Sequence, residues 1–131
     1  MEHDHRSLEE LDGHNWGEPE TAPTGMVATC LRLRRTPLGA LGPGDLQLLI
    51  SQKIGLEYLM AKAIQVVSET PFLEAEFYPG DLLRTLLRVD VKYWGENPTE
   101  LHWLVRVARA VRKRYGDIID ECDRFVATNS R

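Results

Sequence analysis

Two groups of side chains in this chain are of the types that bind metal ions. The first contains three histidines and an aspartate near the N-terminus: His3, Asp4, His5 and His14. These residues precede the first strong helical pattern, where ordering the chain around an ion costs conformational entropy. The second group is acidic and falls on a predicted C-terminal helix: Asp117, Asp120, Glu121 and Asp123. It lacks the glycine and the ligand spacing of a calcium loop, so we expect a solvated helix face and no metal or other cofactor.

No residue has the surroundings that a catalytic nucleophile requires. Cys30 lies within an apolar helical pattern, which favours a buried structural thiol. Cys122 has acidic neighbours, which raise the pKa of a thiol. The chain has no Gly-x-Ser-x-Gly sequence, and the glycines of residues 39–44 are not followed by the Lys-Ser/Thr pair of a phosphate-binding loop. We therefore predict that the protein is not an enzyme.

A basic face is predicted on the helix near the C-terminus. His102, Arg106, Arg109 and Lys113 recur at helical spacing, and residues 101–116 carry five positive charges and no acid. Such a face is able to bind nucleic acid or an anionic partner. The alternative is a solvated face whose cations meet the acidic last helix or lie near a helix C-terminus.

An acidic segment with aromatic residues lies between two predicted helices. Residues 69–81 carry four acids and no basic residue. The candidate contacts with a basic protein partner in this segment are Glu69, Glu74, Glu76, Tyr78 and Asp81. Aromatic side chains beside charges on an irregular segment are typical of interface hot spots. Phe72 and Phe77 have a second interpretation, since each is able to fill the core where two helices meet.

The elements that must position these groups are helices. From Met26 onward, apolar residues recur at helical spacing, and no segment alternates as a strand does. The clearest run is Leu56, Leu59, Met60, Ala63, Ile64 and Val67. We therefore predict an all-α fold, with a single compact domain of about six or seven short to medium helices. Residues 1–25 are expected to form an acidic, loosely ordered arm with one short helical turn, and residues 26–131 the helical domain.

Capping residues and helix breakers set the expected helix ends. Ser7 and Glu10 have the spacing of a capping box. The sequence Pro-Gly-Asp-Leu occurs twice, 36 residues apart, so Asp45 and Asp81 are each predicted to cap a helix. Gly116 is predicted to end the basic helix, after which a last, acidic helix begins.

Composition and charge exclude several classes of protein. The 131 residues are 43% hydrophobic and 27% charged, which is typical of one globular domain. The net charge of −4 argues against a general nucleic-acid-binding protein. No run approaches the ~20 apolar residues of a membrane-spanning helix. The polar, acidic N-terminus differs from a signal peptide, so we expect a cytoplasmic protein.

Several short motifs follow one another between residues 7 and 95. The sequence Leu-x-Tyr-Leu at 56–59 is followed by Pro71-Phe72 and by Tyr-Pro-Gly-Asp-Leu-Leu at 78–83. A weaker opening, Ser-Leu-Glu-Glu-Leu-Asp-Gly at 7–13, precedes Trp16. This series resembles the immunity proteins of bacterial contact-dependent growth inhibition (CDI) systems.

The resemblance implies a small cytoplasmic antitoxin that forms a 1:1 complex with the C-terminal toxin domain of a CdiA-type secreted effector. Such toxins are often nucleases, for example RNases, and the inhibitor covers or distorts the active site. Nucleases tend to present a cationic cleft, which an acidic inhibitor surface complements. Toxin contacts are therefore expected in residues 69–81. The alternative is a nucleic-acid-binding or regulatory helical domain that uses the basic face of residues 102–114.

Overall fold

The computed structural model describes residues 4–129, so the predicted metal ligand His3 lies outside the described residues. Over this range the chain forms seven α-helices and two short 3₁₀ turns, and no strand. The helices are α1 (Leu8–Asp12), α2 (Gly25–Arg34), α3 (Pro43–Ser51), α4 (Leu56–Glu69), α5 (Asp81–Leu87), α6 (Val91–Glu96) and α7 (Pro98–Asn129). They share one hydrophobic core, and the prediction of an all-α, single-domain fold is confirmed.

Helix α4 lies at the centre of the core because one of its faces is apolar along its whole length. Its buried residues are Leu59, Met60, Ala63, Ile64 and Val67. Their spacing places them on one side of the helix, as the sequence pattern predicts. Only the first residue of the predicted run, Leu56, is partly exposed. Helices α3, α5 and α7 pack against α4, so α4 holds together the elements that present the surfaces described below.

The two Pro-Gly-Asp-Leu sequences begin helices α3 and α5, which pack against each other. The prediction that Asp45 and Asp81 are the N-cap residues is wrong. Helix α3 begins at Pro43, and Asp45, two positions later, accepts a hydrogen bond from the N–H of Gly42 at 2.9 Å. Helix α5 begins at Asp81 itself, after Gly80 in the left-handed conformation. Neither helix begins after its aspartate, as an N-cap residue would require. Pro43 at the first position of α3 and Gly80 before α5 already set the turn that starts each helix.

Part of the N-terminal segment packs against the domain through α1. The predicted capping box is present: the Ser7 hydroxyl accepts from the N–H of Glu10 at 3.2 Å, and the Glu10 carboxylate accepts from the N–H of Ser7 at 3.3 Å. Leu8 is completely buried in the core. Arg34 of α2, also buried, donates to both carboxylate oxygens of Asp12, at 2.8 and 3.0 Å. Residues 8–12 therefore share the core of the helical domain.

Helix α7 continues through Gly116, so the predicted break is wrong. Its 32 residues run without interruption. A glycine in a helix interior lowers helix stability by only about 1 kcal/mol relative to alanine. The helical turns on either side of Gly116 contribute more stability than this. The first half of α7 packs on α4, whereas residues 117–129 are all exposed. Residues 116–129, about 20 Å of helix, therefore project from the domain and are called the overhang. Neither α7 nor any other helix within residues 4–129 is apolar enough to cross a membrane.

Candidate partner-binding surface

Asp81 holds the loop between α4 and α5 in one shape. Its side chain is completely buried. One carboxylate oxygen accepts from the N–H groups of Ala75 and Leu82, each at 2.8 Å. The other accepts from Glu76 at 2.9 Å and Phe77 at 2.8 Å. A residue selected from the sequence as a partner contact thus has no exposed surface, and its charge fixes the backbone of the loop instead.

The same contacts set the pKa of Asp81. Burial raises the pKa of a carboxyl group, because it disfavours the charged form. Here the N–H donors of the loop, led by those of Phe77 and Ala75, outweigh burial and lower the pKa of Asp81 to about 2. Asp81 is therefore ionised near neutral pH, where its charge keeps the loop closed around it.

The loop held by Asp81 presents acidic and aromatic side chains to solvent. Four of the five candidate contacts are exposed: Glu69, Glu74, Glu76 and Tyr78. Phe77 is 73% exposed and Phe72 is 43% exposed. The interpretation that these two rings fill the core is therefore wrong, because the loop turns outward around Asp81. The result is an acidic surface with apolar side chains among its charges.

The loop packs against α3 on one side and α7 on the other. A Cβ atom on Gly44 of α3 would lie 2.7 Å from Glu76 Oε2 and 3.1 Å from the carbonyl oxygen of Ala75. A larger residue at position 44 would therefore move the Glu76 carboxylate and press on the carbonyl group of Ala75. On the other side, the ring of Phe72 meets Tyr115 edge to face, with 4.9 Å between centroids. The acidic loop thus lies at the point where α7 leaves the domain.

The predicted basic face is present on the outer side of α7. Its members are all exposed: His102, Arg106, Arg109 and Lys113. The guanidinium carbon of Arg106 lies 5.0 Å from the ring centroid of Trp103. Within residues 4–129, the four side chains form no ion pair with the acidic overhang. The molecule therefore has an exposed basic face as well as an exposed acidic loop.

A groove of about 800 Å³, which no sequence pattern predicted, lies between α4 and α7. Its lining includes Ile64 of α4 and Trp103, Arg106 and Val107 of α7. Trp103 is half exposed. Trp103 beside the basic residues was the one sequence feature that could have indicated this groove. Nothing local in the sequence, however, shows that α4 and α7 leave a space there. Among residues 4–129, no cysteine or histidine lines this groove.

The two cysteines lie on separate helices, Cys30 on α2 and Cys122 on α7. Cys30 is buried, and burial raises the pKa of its thiol. Cys122 is exposed on the overhang, as are the four acids selected there as metal-ligand types. Across residues 4–129, no three His, Cys, Asp or Glu side chains are grouped closely enough to hold a metal ion.

Comparison with known proteins identifies the family. The sequence matches the family of CDI immunity proteins over residues 10–104, which is most of the chain. No curated protein and no solved structure matches the chain. The matched region contains α2 to α6 and the loop held by Asp81, and it ends before the overhang. The family prediction made from the motifs of residues 7–95 is confirmed, and the chain belongs to the CDI immunity proteins.

Proposed function

We propose that this immunity protein binds the toxin domain of its cognate CdiA-type effector in a 1:1 complex and covers the active site of a nuclease. Its family implies that it binds and neutralises a cognate CDI toxin. The proposed contact surface is the acidic loop, formed by the exposed side chains of residues 69–81. The complex forms in the cytoplasm. Occupying the toxin's active site requires no catalysis by the inhibitor.

The observation that carries the proposal is the loop fixed by the buried Asp81 carboxylate. Its shape is set by hydrogen bonds within the protein, so binding does not have to order it. Glu74, Glu76 and Tyr78 are thus presented in a defined arrangement, with Phe77 exposed beside them. A nuclease needs cationic groups to bind the phosphates of its substrate. An acidic, preorganised surface complements such a cleft in charge and excludes the substrate.

The experiment uses the toxin domain encoded immediately upstream of this protein. We expect the two chains to co-purify in equal amounts and the immunity protein to rescue cells that express the toxin. Cleavage of RNA by the toxin domain is then measured while immunity protein is added. Activity is expected to fall to background at a 1:1 molar ratio.

Three outcomes would contradict different parts of this proposal. Failure to co-purify and to rescue would overturn neutralisation of that toxin. A toxin domain that is fully bound but still cleaves a small dinucleotide substrate would overturn coverage of the active site. A toxin without nuclease activity would overturn the assignment of its chemistry, while co-purification would still support the complex.

The basic face supports a second candidate function, that of a nucleic-acid-binding or regulatory domain. Its side chains, His102, Arg106, Arg109 and Lys113, are exposed and lack ion pairs within the described chain. This function requires RNA or DNA affinity that falls with salt and is abolished by Arg106→Glu with Arg109→Glu. Absence of binding at low salt would exclude it.

A further inference from the structure

We propose that the overhang is a second part of the toxin-binding surface, and that it docks on an apolar groove of the toxin domain bordered by cationic side chains. The inference rests on the proposed function, since the occupant is the same toxin. It concerns an exposed apolar stripe on the overhang, formed by Ile118, Ile119, Cys122, Phe125 and Val126.

The stripe is the continuation of the face with which α7 packs on the core. Within the domain this face buries Leu104 and Val107. The stripe residues follow at the same helical spacing, but no part of the described chain covers them. Ile118 is 54% exposed and Phe125 is 69% exposed. A contiguous apolar face of this kind on a projecting helix is typical of an interaction site.

The size of the stripe indicates that it is part of a larger interface. A stable interface buries about 800 Å² on each partner. One helix face about 20 Å long and about 10 Å wide covers only a fraction of that area. The acidic loop supplies adjoining surface, because the contact between Phe72 and Tyr115 places it at the base of the overhang. A partner that fills the angle between loop and overhang would contact both.

The charges around the stripe indicate what kind of partner it binds. The overhang carries four acids and one basic residue, Arg124, and the adjoining loop adds three exposed acids. Glu121 and Asp123 flank the stripe at helical positions on either side of it. Two copies of this chain that paired through their stripes would bring like charges together, which opposes self-association. A toxin domain with a cationic border fits both the apolar stripe and its acidic surroundings.

The position of the overhang relative to the family match agrees with this assignment. The match ends at residue 104, so the stripe lies outside the part of the chain that the family shares. Residues that recognise one particular toxin need to differ between members of a family. The overhang lies outside the matched range, whereas the residues that hold the acidic loop lie within it.

The test measures the affinity of the full chain for the cognate toxin domain, with reductant present because Cys122 is exposed. Ile118→Ala with Phe125→Ala is expected to raise the Kd about a hundredfold, mainly through faster dissociation. Alanine favours the helix, so the circular dichroism signal should not fall. The matched control is Val91→Ala on α6, an apolar residue that is 83% exposed, for which the Kd should not change.

Three other outcomes would contradict the proposed function or this inference. If the unmodified chain does not bind the toxin domain, the proposed function itself fails. If it binds, but the double variant binds equally well, the stripe is not a toxin contact and this inference is overturned. A chain that sediments as a dimer without toxin, and as a monomer when both alanines are present, would assign the stripe to a second copy instead.

Discussion

At the scale of single residues, Asp81 controls the acidic loop. Its buried carboxylate accepts hydrogen bonds from the N–H groups of Ala75, Glu76, Phe77 and Leu82. A hydrogen bond to a charged group contributes more than one between neutral groups, and an unsatisfied buried donor is costly. The shape of the proposed contact surface thus depends on one side chain that is itself buried.

Replacement of this carboxylate by an amide is therefore expected to destabilise the protein. Asp81→Asn removes the charge and turns an NH₂ group toward backbone donors, which should lower the free energy of unfolding by about 2 kcal/mol. Urea denaturation measures the change. Glu74→Gln is the matched control, because Glu74 is an exposed acid of the same loop, and it should leave the stability nearly unchanged. Equal stability of the two variants would show that the Asp81 contacts do not hold the loop.

The low pKa of Asp81 predicts how this contribution depends on pH. Its pKa is about 2 in the folded protein and about 3.9 in an unfolded chain, so the unfolded state binds more protons between these values. The stabilisation is complete above about pH 5 and is lost as the pH falls toward about pH 2. The difference in unfolding free energy between wild type and Asp81→Asn should therefore shrink over this range. Urea denaturation of both proteins at several pH values tests this, and a constant difference would contradict it.

At the scale of elements, the fold was predictable where one face of a helix decides its environment. The buried residues of α4 follow directly from their spacing, and the capping box of α1 follows from Ser7 and Glu10. Contacts between distant segments were not predictable. The pairing of Arg34 with Asp12 joins residues 22 positions apart, and neither residue has a local feature that indicates its partner.

The candidate site, like the fold, was predictable from the sequence only in part. The acidic, aromatic character of residues 69–81 was evident from composition, and four of its five candidate contacts are exposed. The inward role of Asp81 was not evident, because a Pro-Gly-Asp sequence fits helix capping equally well. The overhang was not predicted, because glycine at position 116 is compatible with both a helix end and a helix interior. The residues before position 116 pack on the domain, but this does not show whether the helix continues after it.

Two glycines give opposite predictions for the same substitution. Gly116 lies inside α7 with no atom near its added Cβ, so Gly116→Ala should stabilise the protein by up to about 1 kcal/mol. Gly55 has φ of +69°, and its Cβ would lie 2.7 Å from both Leu8 methyl carbons, so Gly55→Ala should destabilise it by about 2 kcal/mol. Thermal and urea unfolding measure both changes. A destabilising Gly116→Ala would show that α7 does not run through this position.

At the scale of the whole molecule, the net charge of −4 is divided between surfaces of opposite sign. The acidic loop adjoins the base of the overhang, near the middle of α7, through the contact of Phe72 with Tyr115. The basic face occupies residues 102–113, on the outer side of the same helix. A cationic toxin is thus attracted to one part of the surface and repelled from another, which orients it before contact.

This charge distribution predicts that acidic and basic substitutions change the association rate in opposite directions. Glu69→Lys with Glu74→Lys should lower the rate constant for toxin association about tenfold at low salt, because long-range attraction is lost. Arg109→Glu with Lys113→Glu changes charge by the same amount in the other direction on the basic face, and should leave the rate unchanged or raise it. Stopped-flow measurements over a range of salt concentrations distinguish the two pairs, since screening should remove both effects near 1 M salt, where the Debye length is about 3 Å. If the basic-face variant is the one that associates slowly, the toxin binds through that face and the acidic surface is not the contact.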